Sequence, residues 1–199
     1  MLHGGVVLTR DETKTRILSV LEGLLETKSL GKIVITEITD AAEVSRQTFY
    51  YYFKNIYDVF LWAVKSRMAY YEGSVSGHFA PSPYETIIDL CDSLRYNRKM
   101  VYEFIDGGYA QRMKDDLRSY LYKVSLDNLA YILGSADPVK EIDMLARFHS
   151  EGYLGIVRNW VAKGMKDDIR DDLDNLRTAF RLVLDPAVVG RAESNVLKY

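Results

Sequence analysis

Between Ile35 and Phe53 the chain reads Ile-Thr-Glu-Ile-Thr-Asp-Ala-Ala-Glu-Val-Ser-Arg-Gln-Thr-Phe-Tyr-Tyr-Tyr-Phe, a spacing that fits two short helices joined by a tight turn. Ile38, Ala41 and Ala42 give the first helix an apolar face, and the two alanines let another helix approach closely. Thr36 is expected to cap that helix, because its hydroxyl can accept from a free N–H of the first turn. Ser45 is a second capping signal. Phe49 and Phe53, one turn apart, form the buried side of the second helix. Its other face presents Arg46, Gln47, Thr48, Tyr50 and Tyr51, a set ill suited to idle solvent exposure. Arg and Gln side chains match base edges in the major groove, and a Thr methyl can meet a thymine methyl. A tight helix pair with such an outer face reads as a helix-turn-helix whose second helix does the reading.

The same run resembles the DNA-binding motif of the TetR family of one-component regulators. It is most similar to a branch whose recognition helix reads Arg-x-Thr-Phe-Tyr-Tyr-x-Phe, followed by Ile-Tyr-Asp. In this chain those are Arg46, Thr48, Phe49, Tyr50, Tyr51 and Phe53, then Ile56, Tyr57 and Asp58, with similarity extending from about Thr13 to Trp62. The chain departs from many members in two places. Glu43 stands where a Gly commonly serves a left-handed turn. Ile56 stands where a Lys commonly meets a phosphate, although Ile suits the closer branch. The expected DNA-contacting set is Thr36, Arg46, Gln47, Thr48, Tyr50, Tyr51, Tyr52 and Lys54.

Charge argues the other way. The net charge is −2, and residues 1–66 carry eight basic and eight acidic side chains, whereas a DNA-binding domain is usually basic. Arg46 and Lys54 flank the recognition helix, with Lys28 and Lys32 before the motif. Since non-specific affinity comes from phosphate neutralisation, that term is expected to be weak.

The 199 residues are 48% apolar, enough for a sizeable core. A single cysteine, Cys91, excludes an internal disulfide and fits a reducing compartment. The first residues lack the pattern of a signal peptide, and no run approaches the ~20 apolar residues of a membrane span. A cytoplasmic protein without membrane contact is the expectation.

Residues 1–9 read as a flexible tail, and Asp11 to about Lys28 as a helix with Ile17, Leu18, Leu21, Leu24 and Leu25 on its core face. Gly31 suits the turn that follows. Asn55 restarts a helix bearing Val59, Phe60, Ala63 and Val64. Gly73 to Pro83 is the clearest break. Beyond it, helical patterns run from about Tyr84 to Arg95, Lys99 to Ile105, Ala110 to Leu133, Val139 to Lys163 and Ile169 to Leu184. The expected fold is all-α: a three-helix helix-turn-helix DNA-binding domain over 1–66 and a helical effector-binding and dimerisation domain over 67–199.

From Phe148 to Met165 the sequence is similar to the penultimate helix of the same branch, where Gly-x-x-Gly precedes a Trp and Gly-Met closes the helix. Here these are Gly152, Gly155, Trp160, Gly164 and Met165. Glycines inside a helix cost about 1 kcal/mol each against Ala, tolerable where another backbone comes close. The helix is apolar over so wide an arc that it must bury two sides, one in its own domain and one in a second subunit. Tyr153, Ile156, Val157 and Trp160, with Leu176 and Phe180 of the last helix, are the expected homodimer contacts. The resemblance implies a four-helix interface.

The chemistry-bearing residues are scattered. The pairs Asp115-Asp116, Asp167-Asp168 and Asp171-Asp172 read as solvated or helix-starting acids rather than a metal site. No phosphate-cradling loop or nucleophile motif occurs, so neither enzyme, cofactor nor metal is expected. Fifteen tyrosines offer rings with one polar tip. The resemblance implies a small-molecule pocket in the second domain, for which Tyr96, Tyr102, Phe104 and His149 are candidates. Together these features describe a homodimeric transcriptional regulator of a double-stranded DNA operator, a repressor released by a small-molecule effector. The alternative is a co-regulator of the same fold acting through protein partners.

Overall fold

A computed structural model describes residues 9–72, 83–133 and 140–184. The described residues are helical throughout: α1 (Arg10–Leu25), α2 (Ile35–Ala41), α3 (Arg46–Tyr52), α4 (Ile56–Glu72), α5 (Pro83–Tyr96), α6 (Arg98–Phe104), α7 (Ala110–Leu133), α8 (Lys140–Ala162) and α9 (Ile169–Leu184). A 3-10 turn, Leu30–Lys32, precedes α2, and a wide π turn, Ile105–Tyr109, joins α6 to α7. No described helix is long and apolar enough to cross a membrane.

The chain forms two compact units, Met1–Phe79 with Asp92–Leu117, and Ala80–Cys91 with Arg118–Tyr199. The boundary expected at residue 66 falls inside the continuous helix α4, and residues 92–117 group with the N-terminal helices. The reason is aromatic. Tyr57 and Phe60 of α4 pack on Phe104 of α6 at 5.5 and 5.0 Å between ring centroids, and Tyr109 stacks on Tyr57 at 5.2 Å.

In the first unit, α1 starts at a reciprocal cap. The Thr9 N–H donates to the Glu12 carboxylate at 2.7 Å, and the Glu12 N–H donates back to the Thr9 hydroxyl at 3.3 Å. Ile17, Leu21 and Leu25, each four residues apart, are buried along α1. Ile38 of α2, Ala42 at its cap, and Phe49 and Phe53 at α3 are buried as well, forming the helix-turn-helix core. Two local expectations change. Thr36 lies within α2, whose capping position is Val34, and the Val34 N–H is satisfied by the Glu37 carboxylate at 3.3 Å. Gly31 sits in the 3-10 turn rather than closing α1, which ends at Leu25 with Glu26 as its cap.

In the second unit, Leu129, Ile142 and Ala146 form one apolar cluster with Tyr122 and Leu126 packed against it. Leu154, Val157, Trp160, Ile169 and Leu173 are buried along α8 and α9. The turn after α8 is a Schellman closure: the Met165 N–H donates to the Trp160 carbonyl at 3.0 Å and the Gly164 N–H to the Val161 carbonyl at 2.9 Å. Gly164 has φ 88° and Met165 φ 55°. Met165 takes its left-handed conformation with its side chain buried.

Candidate nucleic-acid interface

Ser45 caps α3, its hydroxyl accepting from the Thr48 N–H at 2.9 Å. Inside the turn before it, Glu43 adopts φ 52°, the left-handed conformation that Gly would take at least cost. Arg16 of α1 forms an ion pair with the Glu43 carboxylate, which ties this strained residue to the neighbouring helix. The Val44 N–H donates to the Thr39 carbonyl at 3.0 Å and closes the turn. The turn therefore fixes α3 from both sides, while Phe49 and Phe53 anchor its back.

Arg46, Gln47, Tyr50 and Tyr51 are exposed, Tyr51 by 79%. Thr36 of α2 and Lys54 beyond α3 are exposed too. Thr48 is half-buried, its hydroxyl sharing a hydrogen bond of 2.8 Å with Ser45, so its methyl is the freer part. Tyr52 differs from its neighbours. It is half-buried, and the Lys14 ammonium of α1 lies 5.8 Å from its ring centroid. Ile56 is half-buried at the start of α4.

The electrostatics depart from the residue count. Glu37 forms an ion pair with Lys28, and this with the Val34 N–H holds its carboxyl below the usual range. Glu43 is paired with Arg16, and Glu26 with Lys99 at 2.6 Å. Asp58 accepts from the Lys54 N–H at 2.9 Å and from Arg112 at 3.5 Å. Lys28 is therefore committed to α2. Among the described residues, Lys32, Arg46 and Lys54 form no ion pair, and neither does the exposed Asp40 of α2.

A polar cluster behind this face was not evident from the sequence. The Tyr57 hydroxyl donates to the Asp116 carboxylate at 2.9 Å, and the Arg112 guanidinium lies 4.4 Å from the Tyr57 ring centroid. Burial, then the hydrogen bond to Asp116, pushes the Tyr57 phenol far above its usual range. The Leu30 N–H donates to the Glu103 carboxylate at 3.0 Å, and Leu30 lies against Gly107, where an added Cβ would come within 3.0 Å.

The four pocket candidates are not one constellation. Phe104 is buried in the aromatic core of the first unit. Tyr96 is exposed in the same unit beneath the Arg67 guanidinium, 3.6 Å from its ring centroid, and Tyr102 is half-buried. His149 is half-buried in the second unit, near Tyr153 at 6.3 Å between centroids. Burial holds the His149 imidazole below its usual value and the Tyr153 phenol above.

Of the expected dimer contacts, Trp160 and Val157 are fully buried within the chain itself, which corrects their assignment. The Trp160 indole N–H donates to the Asp167 carbonyl at 2.9 Å, so the ring holds the turn before α9. Tyr153, Ile156 and Leu176 are half-buried, and the Phe180 side chain lies outside the described residues. The open face of α8 instead carries Met144, Leu145 and Phe148, exposed by 64, 44 and 63%, and continues through exposed Gly152 and Gly155.

Residues 82–181 match the TetR-type family described as "Transcriptional regulator C-terminal region". Two solved structures share the fold. The dihydroxyacetone kinase operon activator DhaS aligns with a TM-score of 0.60 at 17% identity, covering 84% of this chain and 94% of its own. NalD, the secondary repressor of the MexAB-OprM multidrug efflux pump in Pseudomonas aeruginosa, aligns with a TM-score of 0.51 at 19% identity, covering 86% and 96%. No curated protein matches the sequence.

Proposed function

The chain belongs to the TetR family of transcriptional regulators, and from that premise we propose that it is a homodimeric repressor that binds an operator through α3 and releases it on binding a small effector. The observation that carries the reading is the split of α3 into a buried Phe49–Phe53 back and an open face of Arg46, Gln47, Tyr50 and Tyr51. Gln47 and Arg46, in its first turn, reach base edges. Tyr50 and Tyr51 line the groove wall, and Lys54 meets phosphate. The second copy docks on the open face of α8, where Phe148 supplies apolar surface and the two glycines allow close helix approach. The effector lies in the second unit, where Thr86 and Ser125 hold buried hydroxyls without a hydrogen-bond partner. Such groups cost about 1–3 kcal/mol each until something pairs with them.

Selection of sites from random duplex DNA with the full chain tests this. The expected product is a two-fold repeat with half-sites about one helical turn apart. A co-regulator acting through a protein partner is the second reading. It is favoured by Ile56, half-buried where a phosphate-binding Lys is common. Enrichment of no sequence, with the dimer intact, replaces the first reading with the second.

A further inference from the structure

In the first unit lies an open cleft of about 460 Å³ between α1 and α4, lined also by Tyr96 at the end of α5 and by Asn97 after it. That volume is in the range of small-ligand sites. Its apolar walls are Leu18 of α1 and Trp62 and Ala63 of α4. The charges in its lining are Glu22 and Arg67. They are not equivalent. The Arg67 guanidinium is engaged by the Tyr96 ring at 3.6 Å, while no described cation lies within ion-pair distance of Glu22. Glu22 is an exposed residue of this lining, and partial desolvation of its carboxyl raises its proton affinity, a cost that a nearby cation would remove. The Arg67 Nε–H is buried without an acceptor and remains available to a ligand oxygen.

The position is as informative as the chemistry. Trp62, one wall of the cleft, packs on Phe53 at 6.2 Å between centroids, and Phe53 ends the recognition helix. Lys14 lies over both Trp62 and Tyr52, 5.6 and 5.8 Å from their centroids. A molecule pressed against Trp62 therefore acts on rings that hold the C-terminal end of α3.

We infer that this cleft is a small-molecule site for a flat apolar body bearing one protonated nitrogen, the body lying between Leu18 and Trp62 and the nitrogen facing Glu22. It is separate from the effector site proposed for the second unit and does not rest on the regulator reading. An anionic group is disfavoured at the Glu22 end, and the cationic Arg67 in the same lining keeps the protonated nitrogen on the Glu22 side.

Titration calorimetry on the full chain, without DNA, tests the site directly with 2-phenylethylamine and its uncharged analogue 2-phenylethanol. The amine is expected to bind about two- to fivefold more tightly than the alcohol, the factor an exposed ion pair supplies. Glu22→Gln brings the amine down to the level of the alcohol. Ser19→Phe, at an exposed α1 position in the lining, fills the cleft and abolishes both while the helical circular dichroism is unchanged. No heat up to millimolar amine, equal binding of the two probes, or binding that survives both substitutions overturns the site. Because no operator is present, these outcomes are independent of whether the chain selects a DNA sequence.

Discussion

Replacing Gly152 and Gly155 together by Ala separates the chain's own stability from its assembly, because the two effects have opposite signs. Both glycines are exposed in the interior of α8, and a Cβ added at either meets nothing within 4 Å in the single chain. In the protomer the change is therefore pure helix propensity, a gain of about 1 kcal/mol per site or roughly 2 kcal/mol together. For a chain of this size that raises Tm by about 4–8 °C. In the proposed dimer the glycines are where the partner helix comes closest, and overpacking such a contact costs about 1–3 kcal/mol. Symmetry introduces the new methyl groups on both sides of the interface. The dimer Kd is then expected to rise by roughly tenfold or more. Sedimentation equilibrium over a range of protein concentrations reads the Kd, and thermal denaturation at the lowest concentration reads the protomer. A higher Tm with an unchanged Kd refutes the docking of a second copy on these glycines. A lower Tm for the dissociated protomer refutes the view that they are free of internal contacts.

Three further outcomes follow from the geometry. Gln47→Ala is expected to change the selected base pair at one position per half-site by about 1–3 kcal/mol, while Lys54→Ala weakens all sequences alike; site selection with each variant reads both. Tyr57→Phe loses a hydrogen bond to a carboxylate and is expected to cost about 1.5–3 kcal/mol in denaturant unfolding. Because the folded phenol is raised above the ordinary 10.0, its contribution is complete below that pH and fades as pH rises towards the native value, a loss the Phe variant lacks. Trp160→Asp is expected to unfold the chain rather than release a folded monomer, since it places an unpaired charge in a fully buried site, and circular dichroism distinguishes the two.

The local features were legible in the sequence and the directional ones were not. Phe49, Phe53 and Ser45 follow from spacing and capping, because they depend on residues within one turn. α7 and α9 run from Ala110 to Leu133 and from Ile169 to Leu184, the bounds that the helical pattern of the sequence predicts. Comparison with the family motif, which often has Gly at position 43, flagged Glu43, and the structure gives it φ 52°. The arc of apolar residues on α8 showed that two sides need cover, but not which side carries Trp160. That depends on its hydrogen bond to Asp167, beyond the helix end. Phe104 is a pocket candidate only through the pocket that the family resemblance implies. Its place in the core depends on Tyr57, far away in sequence. Lys28 looked free for phosphate until α2 brought Glu37 against it.

The last case changes what neutral composition means for DNA binding. Eight acids against eight bases suggest no field, yet Glu37 and Glu43 are spent on ion pairs with Lys28 and Arg16, and Asp58 on the Lys54 N–H and Arg112. Near the reading motif Lys32, Arg46 and Lys54 have neither an ion pair nor a ring against them, whereas Lys14, also without an ion pair, lies over the Tyr52 and Trp62 rings. Each phosphate neutralised contributes about 0.9 to the fall of log K with log salt, so three per protomer and six per dimer give a slope of at most about −5. A measured slope near that value supports the pairing scheme. A much steeper one means that Lys28 and Arg16 leave their carboxylates to reach the backbone, which the double variant Glu37→Gln, Glu43→Gln should then leave unchanged. If the pairs hold as described, the same double variant frees two cations per protomer and steepens the slope.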